Sequence, residues 1–142
     1  MVGGAQAGSS ADEHGCAPVH AVGIGQDLGG GDTTATISHG GRLNGTTAGH
    51  FLITGGPTVF TIAGTVMFTT KGGTLTATVS GTVNFATGEF TASGPVSAGT
   101  GNLAGTTGTL TFTGVENALG VFTETITGTL CKAGDGDDGE DD

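Results

Sequence analysis

The chain has 142 residues, of which 31 are glycine and 27 threonine, with no tryptophan and no tyrosine. A chain of this length makes one domain, and its three Lys and Arg against thirteen Asp and Glu cannot neutralise a run of phosphates, which excludes nucleic acid and anionic membrane surfaces as partners. Six of the acids fall within the last eight residues, so the formal charge of −10 overstates a body that is only mildly acidic.

Residues 1–15 are small, polar and glycine-rich and read as a disordered leader. Within them Ala5-Gln6-Ala7 fits the small-x-small pattern of a signal cleavage site, a match that a flexible leader explains equally well. Cys16 to Gly25 reads as a first strand, with Pro18 at its entry. Gln26 to Asp32, with three consecutive glycines, reads as a loop. Thr33 to His39 makes a second strand with Ala35, Ile37 and His39 on one face, and Gly40-Gly41 turns the chain. Leu43 to Thr54 makes a third, closed by the turn Gly55-Gly56-Pro57.

The longest clear alternation is Thr58 to Thr70, with Phe60, Ile62, Val66 and Phe68 on one face and threonines on the other. Lys71-Gly72-Gly73 is a hairpin turn. Thr74 to Phe85 follows with Leu75, Ala77, Val79, Val83 and Phe85 inward, across a register change expected near Ser80-Gly81. Glu89 to Ala98 is a sixth strand, and Gly99 to Gly108 holds two glycine-marked turns. Gly108 to Val115 and Val121 to Cys131 are the last strands, joined by a turn at Glu116 to Gly120. Residues 133–142 form an acidic, disordered tail, which leaves 16–132 as a single domain.

Helix formers are scarce, while Thr and Val suit a pleated, half-buried surface. Eight short antiparallel strands joined by glycine turns make an all-β fold, either an up-and-down barrel or a β-sandwich. Glycines inside strands, such as Gly64, Gly81 and Gly128, are what barrel bends need, so the barrel is preferred. A closed barrel makes the first and last strands neighbours. Cys16 and Cys131 are then placed to form a disulfide, worth on the order of 4 kcal/mol in the chain-entropy account; two buried free thiols are the alternative. A disulfide implies an oxidising compartment and a secreted protein.

Glu124 is the foremost candidate for chemistry. It shares a strand face with Phe122, Ile126 and Leu130. If that face is the lumen, desolvation raises its pKa and suits it to acid–base work; the alternative is an outward Glu or one hydrogen-bonded to a threonine. Asp27 and Asp32 flank the glycine loop and form a weak calcium candidate. The histidines (His14, His20, His39 and His50) lack metal-ligand spacing, and a triad of Ser38, a histidine and Glu124 has no supporting motif. No cofactor is expected. Threonine ladders such as Thr109/Thr111/Thr113 and Thr123/Thr125/Thr127/Thr129 invite comparison with ice-binding surfaces, although threonine is also the β-branched residue that tolerates water.

The run Gly99-Thr-Gly-Asn-Leu-Ala-Gly-Thr-Thr-Gly108 resembles the glycine corner of the allene oxide cyclase and dirigent barrel superfamily. With Ala21 to Gly29, Thr33 to Ser38, Gly88 to Val96 and Phe122 to Cys131, the chain is similar to secreted bacterial proteins of no assigned function. The resemblance spans roughly Cys16 to Cys131 and implies an eight-stranded barrel, often oligomeric. It carries no catalytic residue across, because those enzymes line their cavities with aromatic and ionisable groups that are sparse here. The expectation is therefore an extracellular, non-catalytic barrel with a structural, self-assembling or binding role, whose candidate partners are copies of itself or a small apolar ligand. A small-ligand barrel or a cyclase- or isomerase-like enzyme with a lumenal carboxylate is the alternative, and an ice- or surface-binding protein a further one.

Overall fold

The structure is a computed structural model that describes residues 15–132. The expected leader except Gly15, His14 within it, and the acidic tail lie outside the described residues. Eight strands follow one another: β1 (Cys16–Gly29), β2 (Asp32–Ser38), β3 (Gly45–Gly55), β4 (Val59–Thr70), β5 (Gly73–Asn84), β6 (Glu89–Gly99), β7 (Thr107–Glu116) and β8 (Val121–Cys131). Each pairs antiparallel with its sequence neighbours, and β1 pairs with β8, so the sheet closes into an up-and-down barrel and is not a sandwich. Closure satisfies every strand edge within the chain.

Period-two patterning builds the wall. Leu75, Ala77 and Val79 of β5 point in, and the intervening Thr76 and Thr78 point out. Phe68, Leu75, Leu110 and Ile126 are the largest fully buried side chains. The Phe68 and Phe112 rings stack with centroids 6.1 Å apart. Gly64 illustrates the in-strand glycines: a Cβ there would run into the His50 carbonyl of β3.

The two ends of the barrel differ. At one, single 3-10 turns at Gly41–Leu43 and Gly101–Leu103 drop Leu43 and Leu103 into the lumen, 2% and 4% exposed. Arg42 Nη2 donates to the Asn102 carbonyl at 3.1 Å, and the Asn102 N–H donates to the Gly72 carbonyl at 2.7 Å, so three connections are tied across this capped end. The Cys16–Cys131 disulfide lies here too, between residues directly paired in the β1–β8 ladder. At the other end no such plug is present among the described residues.

Several local expectations need correction. β1 runs on to Gly29, because Gln26 and Asp27 continue the ladder against Thr34 and Thr33. The register shift in β5 lies between Thr76 and Ala77, opposite Ala98 and Val96, and not near Ser80-Gly81. Val83 stays inward without it, since it shares parity with Leu75. Phe85 lies just past the strand end and is 50% exposed at the open rim, with its ring edge-to-face on Phe60 at 4.8 Å. His39 has left the apolar face: its φ of 60° ends β2 and puts the side chain in solvent. The stretch from Gly99 to Gly108 is the 3-10 plug carrying Leu103.

Candidate functional site in the barrel lumen

Above the leucine plug the lumen is incompletely filled. A cavity of about 100 Å³ remains, walled by residues such as Ile62, Val66, Val79, Ala92, Phe112 and Phe122, and it reaches the open rim at Ile53 and Phe85. The polar groups that line it are Thr33, Thr47, Asp27, Glu116 and Glu124. Phe122 turns its ring edge-to-face on Phe90 at 5.8 Å, which stiffens the wall beside the carboxylates.

Glu124 enters this space because β8 alternates strictly. Phe122, Glu124 and Ile126 are buried, and Thr123 and Thr125 are exposed. Its ladder partners on both sides are glycines, Gly23 of β1 and Gly114 of β7. Its side chain lies over Gly23, where a Cβ would come 2.8 Å from Glu124 Cγ. The residue is only 9% exposed, and among the described residues no donor reaches its carboxyl. Burial alone pushes its pKa up from 4.5 to about 7.

Nearer the rim, the Asp27 and Glu116 side chains share a hydrogen bond. Desolvation, then that hydrogen bond, then the Asp27 charge raise the Glu116 pKa to about 7. Asp27 Oδ1 also accepts from the Gly29 N–H at 2.8 Å, which fixes it beside the β1–β2 turn.

The sequence candidates sort themselves accordingly. Glu124 lines the lumen. Asp27 and Asp32 part company: Asp27 lines the lumen, while Asp32 is exposed and pairs with His50 Nδ1 at 2.8 Å. Ser38 and His39 contact each other at 3.1 Å on the exposed side of the capped end, so no triad with Glu124 assembles. Cys16 is committed to the disulfide. Among the described residues no group of three metal-ligating side chains comes together.

Glu116 and Thr47 were not expected here, and Asp27 was assigned to a loop. The signal for two of them is parity. Asp27 has the parity of Ala21, Gly23 and Gly25, and Glu116 that of Leu110, Phe112 and Gly114. Extending each alternation by one pair of residues places both in the lumen.

Charge is distributed along the barrel axis. Asp27, Asp32, Glu89, Glu116 and Glu124, all the carboxylates among the described residues, lie in the open-end half. Arg42, Lys71 and Lys132, all the Lys and Arg of the chain, lie at the capped end. The open rim also carries exposed apolar side chains, among them Leu28, Val59, Phe85 and Leu119. The threonine ladders face outward; one row crosses six strands from Thr54 through Thr61, Thr82, Thr91 and Thr113 to Thr125. The chain matches no protein-family model, no curated protein and no solved structure.

Proposed function

We propose that the protein is an extracellular binding barrel that takes a small, largely apolar ligand through the open end into its lumen. The observation that carries this reading is Glu124, a buried carboxyl that no donor reaches among the described residues, lining an apolar cavity. A polar group left unpaired in a core costs stability, and such groups concentrate where a ligand completes them. The disulfide supports an extracellular setting. The barrel topology and the glycine corner accord with the resemblance to allene oxide cyclase and dirigent barrels. Acid–base catalysis in the same lumen is a second reading, favoured by the pKa of Glu124 near 7.

The test is an amide NMR titration with benzene-sized probes. Shifts should cluster at Ala92, Phe112 and Phe122 and should vanish in Ala92→Phe, which fills the space. Perturbations scattered over the outer surface, or none, would end the reading.

A further inference from the structure

The chemistry of the lumen narrows the ligand class, on the premise that the lumen binds a ligand at all. Among the described residues its only charged groups are carboxylates: Asp27 from β1, Glu116 from β7 and Glu124 from β8. Strands β2 to β6 contribute only apolar side chains, glycines and threonines to the interior. No Lys, Arg or His faces it among the described residues; the nearest histidine with a carboxylate, His50 on Asp32, is on the outside. An anionic ligand would meet repulsion with nothing to offset it. A bare divalent cation would find no three carboxylates gathered among the described residues, whereas calcium takes six to eight oxygens. What fits is a cation attached to an apolar body.

We propose that the lumen binds a small organic ammonium ion, its apolar body against Val79, Ala92, Phe112 and Phe122 and its N–H groups on Glu124, with the Asp27–Glu116 pair nearer the rim adding negative charge to the mouth. An ammonium carries several donors and no acceptor, which matches Glu124, a buried acceptor that no donor reaches among the described residues. Phenylalanine ring faces add a cation–π attraction. The separation of charge along the barrel axis attracts cations toward the open mouth. Size sets an upper bound: engineered apolar cavities of about 150 Å³ take up benzene, and this one, at about 100 Å³ with an open mouth, suits a body of one ring or less.

Proton linkage follows from the same geometry. Glu116 and Glu124 are largely protonated below pH 7 and must ionise to attract an ammonium, so affinity should rise with pH.

The experiment is calorimetric and NMR titration of the whole protein with benzylamine, benzyl alcohol and benzoate, at pH 5.5 and pH 8. Benzylamine should bind at least tenfold more tightly than benzyl alcohol at pH 8, and benzoate should not bind. Benzylamine affinity should fall at least fivefold at pH 5.5, where benzyl alcohol affinity stays level. In Glu124→Gln, benzylamine should lose most of its advantage. Benzyl alcohol binding as well as or better than benzylamine at pH 8 would overturn the ammonium proposal and leave the lumen as a neutral-ligand site. Binding of none of the three at either pH would overturn both.

Discussion

Gly23 of β1 stands directly opposite Glu124 of β8 in the closing ladder of the barrel, and the volume its missing side chain would fill is occupied by the glutamate. A Cβ at Gly23 would lie 2.5 Å from Glu124 Oε2 and 3.0 Å from Ile37 Cδ1. The pair is complementary: the charged side chain lies flat in the lumen only because its neighbour has none.

Gly23→Ala should therefore destabilise the barrel by about 1–3 kcal/mol, the usual cost of overpacking. In a Glu124→Ala background the same change should cost much less. Urea unfolding of the four proteins gives the coupling energy, expected above about 1 kcal/mol. Additive effects would show that the two residues do not compete for the same space.

Stability should fall as pH rises through the range set by Glu124. Its folded pKa is about 7, against 4.5 ordinarily. Between those values the native state holds a proton that the unfolded chain releases, so alkali favours unfolding until the native carboxyl also ionises. The destabilisation is about 3 kcal/mol, absent below pH 4.5 and fully expressed above pH 7. Glu124→Gln, which mimics the protonated form, should match the wild type in acid and exceed it at pH 8. Equal stabilities at pH 8 would place the carboxylate in water.

Glu116 offers a separate readout. Its pKa near 7 comes first from desolvation and then from Asp27. Asp27→Asn removes the neighbouring charge, so the Glu116 carboxyl midpoint, followed by ¹³C NMR, should drop while staying above 4.5. A midpoint that does not move would show that the two side chains do not interact.

The capped end should carry more stability than the rim. Leu103→Ala should cost about 2–5 kcal/mol, as expected for a buried leucine, whereas Leu119→Ala, at a site 82% exposed, should stay within about 0.5 kcal/mol of the wild type. Removing the disulfide with Cys16→Ser and Cys131→Ser should cost on the order of 4 kcal/mol. Thermal denaturation of the three variants orders these contributions.

The threonine rows should give no thermal hysteresis at millimolar protein. The row from Thr54 to Thr125 follows the circumference of a closed barrel, and a curved surface matches a flat lattice poorly. A measurable freezing-point gap would revive the ice-surface reading.

The fold was legible because its rule is local. Wherever threonine alternates with an aliphatic or phenylalanine, as from Thr58 to Thr70, the inward and outward faces follow at once. Glu124 was legible for the same reason. Asp27 and Glu116 were obscured by their neighbours, since Gly29 to Gly31 close behind Asp27 and Asn117 directly after Glu116 draw each carboxylate into the reading of a turn, although the ladders run to Gly29 and Glu116. The plug was hidden for a different reason. Leu43 and Leu103 sit in glycine-rich connections with no periodicity, and only the closure of the sheet shows that both reach the axis at the same end. At the mouth, Phe85 packs edge-to-face on Phe60 past the end of its strand, a contact that no pattern encodes.

The disulfide has a practical corollary. Residues 16 and 131 leave the barrel side by side at the capped pole. A tag, dye or surface tether attached through either end of the domain therefore sits on the far side from the mouth. Immobilised in that way, the molecules stand in a common orientation with their openings toward the solution, an arrangement suited to surface-based measurement of whatever enters them.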